Sequence, residues 1–303
     1  EEETPAVLAT GDQVTVTDII KGDELVVTKD RKRAKVRLLG VRVEPEVARP
    51  GDRVDVRLYW EAVALPSGDL RVVVRLRTAG GRLLAQWDEP PANERYPADL
   101  WREGDIIRDD YSVAAITGRP ALYRVSVTLL REGKREQDAA GRSPARTAHR
   151  LKLAPERPAI DDPAYVPVSY LVGDRVALTG YALPEGRILA EAGLALTLYW
   201  DVQTGMEHDY SVFVHLIGPD GVLLGQGDGP PLNGDYPTSA WAEGESLADP
   251  RRVQLNSEVD LDQLVRGSYL LVGLYRLEDG TRLPVVDGNG ARVPHDAIRL
   301  ELH

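Results

Sequence analysis

Val54-Asp55-Val56-Arg57-Leu58-Tyr59-Trp60 decides the reading of this chain. Val54, Val56, Leu58 and Trp60 share one phase of a two-residue period, and Asp55, Arg57 and Tyr59 share the other. Successive side chains of a strand point to opposite faces, so this is a strand with one face in a core and one in water. Roughly 140 residues further on, Leu194-Ala195-Leu196-Thr197-Leu198-Tyr199-Trp200 repeats the pattern down to its closing Leu-Tyr-Trp.

Moving outward, the same offset relates Val36-Arg37-Leu38-Leu39-Gly40 to Val176-Ala177-Leu178-Thr179-Gly180. Gln86, Asp88, Pro90 and Pro91 return as Gln226, Asp228, Pro230 and Pro231, and Asn93, Tyr96, Pro97 and Trp101 return as Asn233, Tyr236, Pro237 and Trp241. Glu103-Gly104 and Asp109 return as Glu243-Gly244 and Asp249. A register kept without a gap over that distance marks an internal duplication. The two copies are expected at residues 35–153 and 168–303. The Pro-rich stretch 154–167 between them reads as a semi-rigid linker. Residues 1–34 fall outside the repeat as an N-terminal extension, in which Gln13–Thr17 and Leu25–Val27 have strand character.

Strand-like runs are short and broken by turn signals such as Ala79-Gly80-Gly81 and Pro219-Asp220-Gly221, and no stretch carries a helical stripe. About seven strands per copy is the grammar of an immunoglobulin-like sandwich. The expected fold is therefore all-β: two tandem immunoglobulin-like antiparallel β-sandwiches with an N-terminal strand-forming extension. Trp60 and Trp200 are expected in the two cores. Tyr123 and Tyr269, each near the opening of a late strand, are expected to form tyrosine corners.

Composition narrows the function. With 43% hydrophobic residues in 303, each copy can build its own core. The absence of cysteine excludes disulfides, thiolate metal sites and cysteine nucleophiles. A net charge of −11 repels a phosphate backbone, so nucleic acid is not an expected partner. The basic run Lys29–Lys35 reads as a solvated turn, or as a docking patch for an anionic polymer or membrane surface. No apolar run reaches the ~18 residues of a membrane span. The opening Glu1-Glu2-Glu3-Thr4-Pro5 is not a signal peptide.

The most specific local pattern is Gln226 through Trp241, whose Gly, Pro, Asn and Asp content predicts a long ordered loop. One reading is structural: Tyr236 and Trp241 pack the loop down while Gln226 and Asp228 satisfy its amides. The other is a glycan platform, in which an aromatic stacks on a sugar and Asp, Asn and Gln bind its hydroxyls. The candidate ligand-binding residues are Trp87, Gln226, Asp228, Asn233, Tyr236 and Trp241; Trp87 stands out because its counterpart is Gly227. Calcium is considered at Asp228 and at Asp287-Gly288-Asn289-Gly290, but turn chemistry accounts for the latter. His149, His208, His215, His295 and His303 have no partner at metal-ligand spacing, and no nucleophile elbow or phosphate loop occurs. No carboxylate pair is singled out for hydrolysis. No catalytic residue, metal site or cofactor is expected.

Two resemblances follow. Ile19–Val27 with Val36–Val41 is similar to the opening strands of thermonuclease-type nucleases, but Lys21 and Arg42 stand where that family has metal-binding aspartates. Asp209–Leu216, the Gln226–Trp241 loop and Gly267–Tyr275 together resemble a β-sandwich domain attached to bacterial multi-pass membrane glycosyltransferases and to uncharacterised cell-surface proteins. The resemblance implies an extracytoplasmic accessory domain, and the absence of a catalytic motif makes a non-enzymatic module the expectation. Its expected roles are a structural or assembly subunit that self-associates or meets a neighbouring envelope protein, or an accessory module that binds carbohydrate.

Overall fold

The computed structural model describes residues 6–7, 13–14, 36–63, 70–94, 96–131, 134–135, 146–158, 163–183, 188–189, 193–256 and 267–302. Within the extension, β1 (Ala6–Val7) pairs antiparallel with β2 (Gln13–Val14). The other extension segments read as strand, Thr15–Thr17 and Leu25–Val27, lie outside the described residues, as does the basic run Lys29–Lys35. The chain divides into two compact units between Ala154 and Pro155. No α-helix occurs among the described residues; both units are built from strands and single 3₁₀ turns.

The first unit continues with β3 (Val36–Glu44), β4 (Val47–Ala48), β5 (Val54–Ala62), β6 (Leu70–Arg77) and β7 (Leu83–Glu89). It is completed by β8 (Ile106–Val113), β9 (Ala121–Arg131), β10 (Lys134–Arg135) and β11 (Arg146–Leu153). One sheet has the order β3-β5-β8, and the other has β4-β11-β9-β6-β7 with β10 against β9. Every ladder is antiparallel except the short β4–β11 pair. The alternation read from Val54–Trp60 fills the space between the sheets. Val54, Val56, Leu58 and Trp60 of β5 share one buried cluster with Val72, Val74 and Leu76 of β6 and with Val125, Val127 and Leu151. Burying each such side chain contributes roughly 1.5–3 kcal/mol.

The second unit comprises β12 (Tyr165–Val172), β13 (Val176–Ala182), β14 (Ile188–Leu189), β15 (Gly193–Val202) and β16 (Ser211–Ile217). Then follow β17 (Leu223–Gln226), β18 (Ser246–Leu255), β19 (Tyr269–Tyr275), β20 (Val285–Asp287) and β21 (Ile298–Glu301). Tyr165, Val166 and Pro167, expected in the linker, already belong to β12. Here the strands make a single ten-stranded antiparallel sheet in the order β20-β12-β13-β15-β18-β17-β16-β19-β21, with β14 beside β15. It curls round one core that includes Leu198, Trp200, Val214, Trp241 and Val272. The Tyr181 hydroxyl of β13, the third strand, donates to the Glu301 carbonyl of β21, the last, at 2.8 Å, a bond that spans the curl.

The two units differ in how their sheets join. The all-β class holds for both units, but the second is one nearly closed sheet. Two residues account for the difference. In the second unit Gly225 and Gln226 of β17 pair with Leu255 and Gln254 of β18. A Cβ on Gly225 would lie 2.5 Å from the Gln254 carbonyl oxygen, and one on Gly227 would lie 2.7 Å from that of Arg252. The backbones approach so closely because no side chain intervenes. The first unit has Ala85 and Trp87 at these positions. The Trp87 ring instead packs against Tyr111 at 5.7 Å, and among the described residues β7 pairs only with β6 and β8 only with β5.

Tyr269 departs from its expected role for a related reason. Val74 faces Val127, whereas Val214 faces Val272, so the sequence separation grows from 53 to 58 residues. Tyr123 is buried and donates to the Arg119 carbonyl at 3.3 Å, as a tyrosine corner should. Its structural counterpart is the buried Ser268, and Tyr269 is turned to the outer face, where the Arg299 guanidinium lies 3.8 Å from its ring centroid. A one-residue slip flips a side chain across a sheet.

Gly227→Ala should lower the stability of the second unit by roughly 1–3 kcal/mol and speed hydrogen exchange along Gln254–Leu255. Thermal unfolding and exchange rates indistinguishable from those of the parent would refute the close-approach account.

Candidate functional site

The repeated loop is built the same way in both units. In the second, Pro231–Gly234 forms a 3₁₀ turn with Leu232 and Asn233 in the left-handed region, followed by a second turn at Thr238–Ala240. Tyr236 and Trp241 are almost wholly buried. The Trp241 indole donates to the Tyr236 carbonyl at 3.1 Å, and the Tyr236 hydroxyl donates to Glu245 at 2.7 Å. Burial first, and Glu245 beside it, push the Tyr236 hydroxyl far above its ordinary pKa, so it stays a donor. In the first unit the Trp101 indole donates to the Tyr96 carbonyl at 2.8 Å, and the Tyr96 hydroxyl lies between the Leu100 carbonyl and Asp105.

Beneath each loop sits a buried carboxylate. Asp249 of β18 accepts the Leu232 amide at 3.0 Å and the Arg251 guanidinium at 2.7 Å. Arg251 also donates to the Gly229 carbonyl at 3.0 Å, so one acid and one base tie the loop to the sheet at two places. Burial pushes the Asp249 carboxyl up and Arg251 pulls it back. Asp109 occupies the same place in the first unit, but its β8 neighbour is Tyr111 rather than arginine. The Tyr111 hydroxyl donates to Asp109 at 2.8 Å and the Trp60 indole at 3.3 Å. The Ala92 amide is directed at the same carboxylate, yet Oδ1 gains no well-formed hydrogen bond. Without a cation, burial dominates these donors and lifts the Asp109 pKa from 3.8 to about 6.

The candidate ligand-binding residues separate into four groups. Tyr236 and Trp241 are internal pillars of the loop; Trp241 lies 6.4 Å from Trp200, ring to ring. Asn233 is at the surface in the left-handed turn. Trp87 belongs to the first unit and is half-buried against Tyr111. Gln226 and Asp228 do come together, on the outer face of β16 and β17. Gln226 faces His215 in the ladder, and Asp228 spans the His215 ring at 3.2 Å and the Val214 amide at 3.1 Å. Phe213 lies next along this face, 5.3 Å from His215, with the Arg282 guanidinium 4.3 Å above it. His215, read as a surface or inter-sheet residue, is thus the centre of a small polar and aromatic patch.

Two further features fall short of a site. Asp287 Oδ1 accepts the amides of Asn289 and Ala291, both at 2.9 Å, which is turn chemistry and leaves that oxygen committed. A pocket of about 90 Å³ lined by Arg175, Met206, His208 and Tyr210 is well below the ~300 Å³ at which small-molecule sites begin. Among the described residues no three acids or histidines gather as a metal site.

No protein-family model matches the chain, and no curated protein matches it. Among solved structures, a DUF4785 family protein from Legionella pneumophila is distantly similar, with 11% identity and a TM-score of 0.23. The alignment covers 86% of this chain and 58% of that one, so the chain spans little more than half of that protein's length. At this distance the likeness carries no argument.

The raised Asp109 pKa has a measurable consequence. The folded state holds a proton that the unfolded chain releases between about pH 4 and pH 6. The contribution of this group to stability is therefore greatest below that window, falls as pH rises through it and stays low above it. Asp109→Asn should keep the shape and remove the titration. The melting temperature of the first unit should fall relative to that of Asp109→Asn between pH 4 and pH 7; parallel curves would contradict the assignment.

Proposed function

We propose that the chain is a non-catalytic, extracytoplasmic assembly subunit built from two immunoglobulin-like sandwiches. The fold part of this reading is supported by the first unit's strand order. Its β3-β5-β8 sheet and β4-β11-β9-β6-β7 sheet share one core, with a short parallel pair at one edge. The second unit is read as the same sandwich with its two sheets fused along β17–β18.

The observation that carries the assembly role is the contrast at this seam. The second unit joins its sheets there, while in the first β7 and β8 are not paired with each other among the described residues, and β1 of the extension lies near β8. A strand edge offers a row of backbone donors and acceptors to another chain. β-Strand addition is a recurring mode of subunit assembly. Leu83, at the start of β7, is 46% exposed and carries no charge to discourage such pairing. The extension 1–34 supplies strand-forming sequence from outside either repeat, and is the segment proposed to pair with β7 of a neighbouring copy. The non-catalytic reading is supported by the loop's own chemistry, whose polar side chains are spent on backbone groups. The extracytoplasmic placement rests on the resemblance of Asp209–Tyr275 to the accessory domain described above.

Light scattering at rising protein concentration tests this. The parent chain should associate, and Leu83→Lys or removal of residues 1–34 should weaken that association without unfolding either unit. A chain that stays monomeric throughout, with both variants behaving like the parent, would sink the proposal.

A second reading, a carbohydrate-binding accessory module, draws on one observation: Gln226, Asp228 and His215 gather on one outer face, beside a Phe213 ring buried under Arg282. It predicts micromolar to millimolar glycan binding that Gln226→Ala weakens several-fold while the melting temperature holds. A glycan array without signal would rule it out.

A further inference from the structure

Three arginines distant in sequence are brought side by side in the first unit. In the β6–β9 ladder Arg77 faces Arg124, and in the β9–β11 ladder Arg124 faces Arg150. Adjacent strands lie about 4.8 Å apart, so the three form a row about 10 Å long across the sheet. All three are exposed, and the core-facing residues beside them are Leu76, Val125 and Leu151. None is in an ion pair among the described residues. The flanking register positions on the same face hold no carboxylate. Arg75 and Ser126 lie on one side, with Arg75 donating to the neutral Gln86 at 2.8 Å; Leu122 and Lys152 lie on the other.

Like charges placed directly opposite on a sheet are destabilising. The row therefore needs a reason, and the repeat shows that the fold does not supply one. At the same three places the second unit has Ile217, Tyr269 and Glu301, paired in the same register. One side chain there is apolar, one aromatic and one acidic, on a sheet of the same build. Elsewhere on the first unit arginines are matched with acids: Arg57 with Glu44, Arg71 with Asp88 and Arg108 with Asp110. The unmatched row stands out on a chain whose net charge is −11.

We propose that Arg77, Arg124 and Arg150 form a docking strip for an acidic polysaccharide, one whose sugar units carry carboxylate or sulfate groups. Guanidinium groups bind such oxyanions through paired hydrogen bonds. The strip lies on an open sheet face, so a single free anion finds no enclosing walls, whereas a polymer with regularly spaced charges meets all three arginines at once. The strip and its register neighbours include no aromatic side chain to anchor a protein interface. The lack of an aromatic side chain among these positions also leaves nothing for bases to stack on, which disfavours single-stranded nucleic acid. The strip abuts the β7 edge, since Arg77 is the cross-strand partner of Leu83, but the proposal does not depend on the assembly reading.

The test uses the full chain and polygalacturonate immobilised on a column, with neutral dextran as the control. The sibling repeat supplies the variant: Arg77→Ile, Arg124→Tyr and Arg150→Glu together. A second variant, with glutamine at all three positions, removes charge at nearly constant length. The parent should be retained on polygalacturonate, released by salt and ignored by dextran. Each exposed charge pair is worth a factor of a few, so both variants should bind roughly tenfold or more weakly. Their melting temperatures should equal or exceed that of the parent, because the repulsion is gone. Equal retention of parent and variants overturns the proposal, as does no retention of the parent. Stronger binding of the parent to single-stranded DNA or to anionic lipid vesicles than to polygalacturonate also overturns it, in favour of those partners.

Discussion

A buried carboxylate in each unit holds the most irregular part of its backbone in place. Asp109 and Asp249 sit on β8 and β18 with almost no exposure, directly beneath the loop that carries a left-handed residue at Ala92 or Leu232. Such a backbone conformation costs energy in a residue other than glycine, and the peptide amide it orients must find an acceptor. In the second unit the carboxylate is that acceptor. The rest of the loop follows from this fixed point. Tyr236 and Trp241, or Tyr96 and Trp101, can be placed only once the turn above the acid is set. Removing an acid from water is expensive, and the two units offset that cost differently.

That difference shows how the repeats have diverged without losing the fold. Arg251 neutralises Asp249 inside the protein, while Tyr111 and Trp60 offer Asp109 only neutral donors. The choice at 111 or 251 is linked to the choice at 87 or 227. Tyr111 packs on Trp87, a ring that occupies the seam between the sheets. Gly227 removes that ring, β17 closes on β18, and arginine fills the space beside the acid. Positions 87/227 and 111/251 thus change together, with Ala85 and Gly225, where two separate sheets in one unit correspond to one nearly closed sheet in the other. Each unit keeps its tryptophan on the inner strand, Trp60 or Trp200, in both arrangements.

The parts of this structure that were legible in the sequence are those set by local alternation. Val54–Trp60 and its repeat could be read as half-buried strands because period two needs no knowledge of partners. The Gly-Gly and Asp-Gly turns at 80–81 and 220–221 were equally plain. What was not legible depends on pairing. Trp87 against Gly227 was visible as an asymmetry, but its meaning lies with Arg252 and Gln254, on another strand. Tyr269 looked like the partner of Tyr123 until the ladder registers showed the return strand displaced by five residues. Gln226 and Asp228 carried a recognisable polar signal. His215, between them and Phe213, gave none until β16 was placed beside β17.

An internal repeat also separates what a fold requires from what it merely permits. Features present in both units, such as the buried acid and the Tyr–Trp pair of the loop, are explained by the architecture they maintain. Features present in one unit and replaced in the other cannot be demanded by that architecture, because the sibling does without them. The arginines at 77, 124 and 150 belong to this second kind, as does the unpaired seam along β7 and β8. Both carry a physical liability, charge repulsion in one case and a strand edge open to pairing in the other. A costly feature that the fold does not need points outward, to something the surface meets. The loops that first drew attention as a binding platform are shared and self-satisfied, so the search for partners moves from the loops to the sheet faces and edges.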